Sequence, residues 1–196
     1  MNINKILICG SSYLTEKVVE FIKPHYNLVG YIPSSNHVFS TNIDLPMVDF
    51  SVDYDITLSI QFDKKIGDVK KGYNLHTGIL PVWGGCDIIY HTLRTGAKEQ
   101  GLTFHKITDK FDEGPIISKS TYPVFPGDTM LDLYKKMLEI APYFALSSLK
   151  LLEKIEDPNN CQMVKPALYK RGEILEKDKE LYKDFPDKLK KEMSRK

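Results

Sequence analysis

The sequence predicts an α/β protein with a mainly parallel sheet and helices on both faces. Three observations carry this. Ile6-Leu7-Ile8-Cys9 is a short apolar run closed by Gly10-Ser11-Ser12, as expected of a strand buried on both faces. Leu14, Val18, Val19 and Ile22 then recur at helical spacing until Pro24, and Leu28-Val29-Gly30-Tyr31-Ile32 follows as a second strand, completing a βαβ opening. Two further strand-like runs, Asp55-Ile56-Thr57-Leu58-Ser59-Ile60 and Tyr73-Asn74-Leu75-His76, continue the pattern. The arrangement is Rossmann-like, with the first and third strands expected to pair in parallel.

The connections read as follows. Residues 33–53, opening on Pro33-Ser34-Ser35-Asn36, are polar and irregular. Residues 64–71 form a short basic connector with a solvated face. Residues 77–85 are a loop, and 86–96 a helix with Ile88, Ile89 and Leu93 as its buried stripe. Leu102-Thr103-Phe104-His105-Lys106-Ile107 and residues 116–124 are strands. Pro126-Gly127 makes a turn, after which Asp128 is the expected N-cap of a long helix. Met130, Leu133, Met137, Ala141, Phe144 and Leu152 form its apolar stripe. Pro142 predicts a kink or break near Ile140, because proline lacks the N–H of the helical ladder. Composition changes after Asp157-Pro158-Asn159-Asn160. The chain thus divides into a main domain, 1–157, and a C-terminal extension, 158–196, packing on that domain or on an oligomer partner such as a second copy.

The 196 residues suit one domain with an appendage. An apolar fraction of 42% is ordinary for a globular protein. A net charge of +1 supplies no broad field for nucleic acid. Residues 177–196 hold eight basic and five acidic side chains, an excess of +3, too little for a polyanion footprint. No apolar run approaches the ~20 residues of a membrane span, and the N-terminal apolar run is too short for a signal peptide. Cys9, Cys86 and Cys161 are scattered and match neither a disulfide framework nor a zinc pattern. These features predict a reducing, cytoplasmic setting without membrane or nucleic-acid partners. His76, His91, His105 and Asp112 share no standard metal-ligand spacing, so no metal is expected.

The chemistry is concentrated in two stretches. Asn74 and His76, two residues apart in a strand, point to one face. Asp112 follows 36 residues after His76, just beyond another strand. Taken singly, a strand histidine is most often structural and an Asp before Glu-Gly is most often a turn residue. A carboxamide, an imidazole and a carboxylate converging at the C-terminal ends of their strands suit a reaction that builds and collapses an oxyanion. Gly10, Ser11 and Ser12 at a helix start have backbone N–H groups suited to a phosphate, although a plain strand-to-helix turn explains them as well.

The text around these residues resembles the folate-dependent formyltransferase family. Asn74-Leu75-His76-Thr77-Gly78-Ile79-Leu80-Pro81-Val82-Trp83-Gly84-Gly85 and Phe111-Asp112-Glu113-Gly114-Pro115-Ile116-Ile117 match its Asn-x-His, Leu-Pro loop and Asp-x-Gly order, within a resemblance covering roughly 1–155. Thr77 replaces the usual proline, and Trp83-Gly84 replaces a basic residue before glycine. The resemblance implies the formyltransferase fold, N10-formyltetrahydrofolate as co-substrate and an amine acceptor. It implies Asn74, His76 and Asp112 as catalytic residues. Ile60, Gln61, Leu80 and the run Ile107, Thr108, Asp109, Lys110 and Phe111 would contact the folate. Gly10, Ser11, Ser12, Tyr13 and Trp83 would serve the acceptor, with Trp83 equally readable as a loop anchor.

Among acceptors, a nucleotide-linked amino sugar ranks first. Ala167-Leu168-Tyr169-Lys170-Arg171 resembles the segment closing the catalytic domain in sugar- and tRNA-directed members, and no OB-sized domain is expected after it. Glycinamide ribonucleotide ranks second, because the N-terminal turn departs from that branch. Met-tRNA fits poorly with the charge. Hydrolysis of the formyl donor and a non-catalytic folate- or nucleotide-binding module are the other classes.

Overall fold

The computed structural model describes residues 2–35, 41–64, 66 and 68–194. Its elements are β1 (Lys5–Cys9), α1 (Tyr13–Ile22), β2 (Asn27–Ile32), β3 (Ile56–Ile60), β4 (Gly72–His76), β5 (Gly84–Gly85), α2 (Ile88–Arg94), β6 (Glu99–Lys106), β7 (Ile116–Pro123), α3 (Met130–Lys154), β8 (Leu168–Tyr169) and α4 (Lys179–Met193). Six strands form one sheet in the order β2-β1-β3-β4-β6-β7. β1 pairs in parallel with β2 and β3, and β3 with β4, as expected. β6 runs antiparallel to both β4 and β7. No described helix is long and apolar enough to cross a membrane. The stretch 33–53 expected to be irregular includes residues 36–40, and the 64–71 connector and the tail also include positions (65, 67, 195, 196) outside the described residues.

Strand alternation sorts the apolar residues into two clusters. Ile6, Ile8, Ile56, Leu58, Ile60, Tyr73, Leu75, Leu102 and Phe104 share one cluster with residues of α1, α2, α3 and α4. Leu7, Cys9 and Ile32 point the other way and meet Tyr54 and Ile66, flanked by Val48, Phe50 and Val52. The helices are therefore distributed unequally. All four described α-helices serve the first cluster, while strands and loops supply the second. Over β4 and β6 this second face is left to polar side chains.

Helix ends follow capping chemistry, with one correction. Ser12 caps α1 reciprocally with Thr15. The cap of α3 is Thr129, not Asp128. Thr129 Oγ1 accepts from the Asp132 N–H while the Asp132 carboxylate accepts from the Thr129 N–H. Asp128 is engaged instead by the Phe125 N–H and the Lys136 ammonium. The expected break near Ile140 is also absent, since α3 runs unbroken across Pro142. Leu138, Ala141, Ala145 and Leu149 are buried on both sides of the proline, so packing holds the turns that lose a hydrogen bond. Helix α2 is shorter than 86–96 because the Cys86 N–H donates to Tyr169 O, extending the β5–β8 ladder instead of starting a helix.

The 158–196 extension was expected to pack on the main domain or on an oligomer partner. In α4, Phe185 and Leu189 enter the main core, Lys135 pairs with Glu192 at 2.6 Å, and the Tyr182 hydroxyl donates to Asp87 at 2.6 Å. Leu189→Ala should therefore cost about 2–5 kcal/mol and shift the whole unfolding transition rather than detach the tail alone. Denaturant melts followed by near-UV and far-UV signals check this. Two separated transitions would show that α4 unfolds independently.

Candidate active site

The candidate site begins with strand alternation in β4. Tyr73 and Leu75 enter the core, so Asn74 and His76 face the side without helices. The register with β6 sets Asn74 opposite His105 and His76 opposite Thr103. Residues opposite each other across a ladder share a face, so four polar side chains meet there. On the other face Leu75 sits opposite Phe104, and the Tyr73 and Phe104 rings stack at 5.7 Å.

Two loops close over this cluster. In the first, Thr103 Oγ1 donates to Gly78 O at 2.7 Å and accepts from the Leu80 N–H at 3.1 Å. Trp83 O lies 2.6 Å from His76 Nε2. A carbonyl only accepts, so His76 Nε2 carries the proton and Nδ1 is left bare in the neutral ring. Gly78 is required by crowding, because a Cβ there would lie 2.3 Å from Trp83 O and 2.7 Å from His76 Nε2.

The second loop, 107–115, carries Asp112. Its backbone is left-handed, with φ +55°. Asp112 Oδ2 accepts from the Gly85 N–H at 2.7 Å. Oδ1 lies 3.6 Å from His76 Nδ1 and 3.5 Å from His105 Nε2. Gly114 allows the loop to return, since a Cβ would sit 1.7 Å from Lys106 O. His105, only 2% exposed, places Nδ1 2.9 Å from Lys106 O and Nε2 3.2 Å from Asn74 Nδ2.

Asn74, His76 and Asp112 thus meet, but not at one shared C-terminal edge. The end of β6, Lys106, pairs with Tyr73 near the start of β4. Antiparallel pairing puts the two C-terminal ends on opposite sides, and the 107–115 loop brings Asp112 back over the sheet face. His105, Thr103 and the Gly85 N–H join the cluster although they were not among the candidates. Thr103 and His105 repeat the two-residue spacing of Asn74 and His76, a signal that acquires meaning only with the register.

The remaining candidates lie as follows. Ile60 is buried in the core, and Gln61 at its end has φ +48° and accepts from the Tyr134 hydroxyl at 3.4 Å. Leu80 is buried, with its carbonyl accepting from the Lys119 ammonium at 3.0 Å, and its peptide bond to Pro81 is cis. Ile107, Thr108, Asp109, Lys110 and Phe111 lead into Asp112, and Phe111 is 83% exposed. The Trp83 ring is 8% exposed and lies 5.7 Å from the Tyr169 ring, the arrangement of a loop anchor. Gly10, Ser11 and Ser12 bond to their own neighbourhood: Gly10 N–H to Ile32 O, Ser34 N–H to Ser11 Oγ, and Ser12 with Thr15. A Cβ on Gly10 would meet Ile60 O at 2.2 Å, so close packing on β3 accounts for that glycine. Tyr13 packs partly buried against the main core. The structure therefore does not bring 10–13 into the Asn74 cluster through any of these bonds.

Burial alone would raise the Asp112 carboxyl, but the neighbouring His76 and His105 rings and the Gly85 N–H outweigh it and hold it down at about 2. Burial pushes His76 below its ordinary range, against the opposing pull of Asp112. No cluster of three or more His, Cys, Asp or Glu side chains among the described residues has metal-holding geometry. The arrangement provides an amide donor, an imidazole with one bare nitrogen and an anionic carboxylate on a sheltered face.

Comparison with known proteins adds sequence and fold relatives. Residues 67–148 match the model of the family described as formyl transferase. A methionyl-tRNA formyltransferase of Natranaerobius thermophilus is 28% identical over 111 residues, 54% of this chain and 36% of that protein. The bifunctional polymyxin resistance protein ArnA of Wigglesworthia glossinidia brevipalpis is 34% identical over 82 residues, 42% of this chain and 12% of that protein. The chain thus spans little more than a third of the first relative and far less of the second. Among solved structures, an N-formyltransferase from Helicobacter canadensis in complex with folinic acid and dTDP-3-aminofucose superposes with a TM-score of 0.73 at 22% identity, covering 88% of this chain and 72% of that one. Glycinamide ribonucleotide transformylase 1 from Symbiobacterium toebii gives 0.66 at 17%, covering 84% and 95%. These structural likenesses show the same fold.

The titrations predict a two-stage acid response. His76 and His91, both lowered by burial, are neutral in the fold. The unfolded chain takes up their protons below about pH 6.5, so stability first falls there. Asp112, held at about 2, stabilises the fold fully above about pH 4 and loses that contribution as pH falls toward 2, roughly 2 kcal/mol in all. Denaturant melts of wild type and Asp112→Asn from pH 7 to pH 2 check this. Their stability difference should shrink only in the lower window, and a pH-independent difference would contradict the assignment.

Proposed function

We propose that the chain, whose residues 67–148 match the formyl transferase family model, transfers a formyl group from N10-formyltetrahydrofolate to a primary amine on a small molecule. The observation that carries this reading is the meeting of Asn74, His76 and Asp112 on one sheltered face. The donor supplies the one-carbon unit. Asn74 Nδ2–H donates to the formyl oxygen and stabilises the negative charge that gathers there. Asp112, held at about 2, is a weak base but a strong counter-ion. The bare His76 Nδ1 takes the proton lost by the attacking amine, and Asp112 at 3.6 Å holds the resulting imidazolium. Collapse of the tetrahedral adduct breaks the bond from the formyl carbon to the folate nitrogen and returns that proton to the departing nitrogen. Trp83 O keeps the ring in this tautomer.

The loops that meet at the Gly85–Asp112 bond fit a flat aromatic co-substrate. Each leaves a large apolar side chain outward, Val82 at 54% and Phe111 at 83% exposure. Leu80, Gln61 and 107–111 are the segments proposed to hold it, by their match to the family's motif positions. Trp83 contributes as anchor of the first loop. Residues 10–13 serve the acceptor only if the hydrogen bonds within that turn open.

For the acceptor, a nucleotide-linked amino sugar ranks ahead of glycinamide ribonucleotide. The likeness to a structure solved with dTDP-3-aminofucose supports this order, as does β8, whose ladder with Gly84 and Gly85 joins the 167–171 segment to the Asp112 loop. The net charge of +1 favours a small acceptor over tRNA.

Asn74→Ala, His76→Ala and Asp112→Ala should each lower turnover by roughly 10²-fold or more while keeping the fold. Single-turnover assays with labelled formyl donor, with circular dichroism of each variant, check this. Near-normal turnover in any two variants would overturn the mechanism. The same assay against nucleotide-linked 3- and 4-amino sugars, glycinamide ribonucleotide, Met-tRNA and no amine ranks the acceptors. Transfer to Met-tRNA alone would refute the small acceptor, and equal loss of formyl without amine would mark a hydrolase.

A further inference from the structure

His105 is buried between the proposed catalytic side chains yet has no role in the chemistry above. Both its nitrogens have assigned surroundings. Nδ1 lies 2.9 Å from Lys106 O, which only accepts, so Nδ1 carries the proton. In the neutral ring Nε2 is then a bare acceptor. Its nearest neighbour, at 3.2 Å, is the Asn74 carboxamide, closer than Asp112 Oδ1 at 3.5 Å, and against a bare Nε2 that carboxamide turns its NH₂ group, not its oxygen, toward the ring. An amide nitrogen has two hydrogens. One is spent on His105, and the second remains available on the side of the site. A carboxamide turned the other way would aim its oxygen at the developing negative charge and repel it.

We propose that His105 is a positioning residue that fixes the orientation of the Asn74 carboxamide, so that Asn74 presents a donor rather than an acceptor to the reacting carbonyl. This rests on the formyl-transfer reading for its catalytic consequence, while the orientation itself is independent of it. The backbone supplies the rest of the device. Tyr73 and Phe104 stack on the opposite face and hold the register that sets Asn74 against His105. Lys106 O fixes the imidazole tautomer from the following residue. The mechanism is that of a ligand histidine whose other nitrogen is tied to a carbonyl, here applied to an amide.

The first test reads the tautomer directly. In wild-type protein with ¹⁵N-labelled histidine near pH 8, His105 should show a protonated Nδ1 and a bare Nε2, and Asn74→Ala should shift the Nε2 resonance. A protonated Nε2, or an Nε2 signal indifferent to Asn74→Ala, overturns the proposal even if no amine is ever formylated. The second test uses turnover. His105→Leu removes the acceptor at little cost in volume, and should lower kcat by about 10-fold to 100-fold with KM for the formyl donor changed by less than about 3-fold. His105→Gln offers an acceptor oxygen at a similar reach and should recover most of that loss. In an Asn74→Ala background, His105→Leu should change kcat by less than about 3-fold, because a residue acting through another adds nothing once its partner is gone. Additive losses in that double variant, or failure of Gln to outperform Leu, would overturn the positioning role. Wild-type protein inactive with every amine would refute the formyl-transfer reading, leaving the labelled-histidine measurement to decide His105.

Discussion

The register between β4 and β6 is the constraint on which the site depends. It sets Asn74 against His105 and His76 against Thr103 on one face, and Leu75 against Phe104 on the other. Slipping by one residue would turn every one of these side chains over. The apolar set resists that slip. Tyr73, Leu75 and Phe104 are fully buried, and exposing any of them forfeits about 1.5–3 kcal/mol. The position of the polar groups is thus enforced from the opposite side of the sheet by residues that touch no reacting atom.

The two loops over the site are shaped by backbone crowding more than by their side chains. Gly78 leaves room for His76 Nε2 and Trp83 O, and Gly114 lets the second loop pass against Lys106 O. Asp112 itself sits at positive φ, a conformation seldom adopted by residues with a side chain. Its Gly85 N–H bond holds the strained residue in place. Thr103, bonding to both Gly78 and Leu80, ties the first loop to the floor of the site.

Much of this was legible in the chain. Apolar runs and their punctuation disclose β1, α1, β2, β3 and β4 in order, and the spacing of Asn74, His76 and Asp112 singles out the cluster. What sequence withheld depends on pairing across distance. His105 looks like one more alternating strand residue until the antiparallel register sets it beside Asn74. The expectation of a common C-terminal edge failed for the same reason, because nothing local to Leu102-Thr103-Phe104-His105 states the direction of that strand. Thr129 and Asp128 are both good caps by type, and only the carboxylate of Asp132 decides between them. Pro142 reads as a breaker because local propensity ignores the packing on either side of it. Gly84 and Gly85 read as loop until a strand more than eighty residues later lies down beside them.

That last pairing sets a timetable for the molecule. The Gly85 N–H that holds Asp112 stands next to the Cys86 N–H, which is occupied by Tyr169 O, while the Gly84 N–H is occupied by Ala167 O and Pro81 O receives the Ala167 N–H. A chain emerging from the ribosome has Asn74, His76, His105 and Asp112 in hand long before residue 169 appears. The sheet that carries them is built from earlier segments, and the brace on their loop is made only after all six of its strands. Contacts so distant in sequence form late, after the entropy of closing a long loop has been overcome. All six strands of the sheet are therefore made while the loop above its reactive groups still lacks its brace, and that loop is fixed only when β8 joins Gly84 and Gly85.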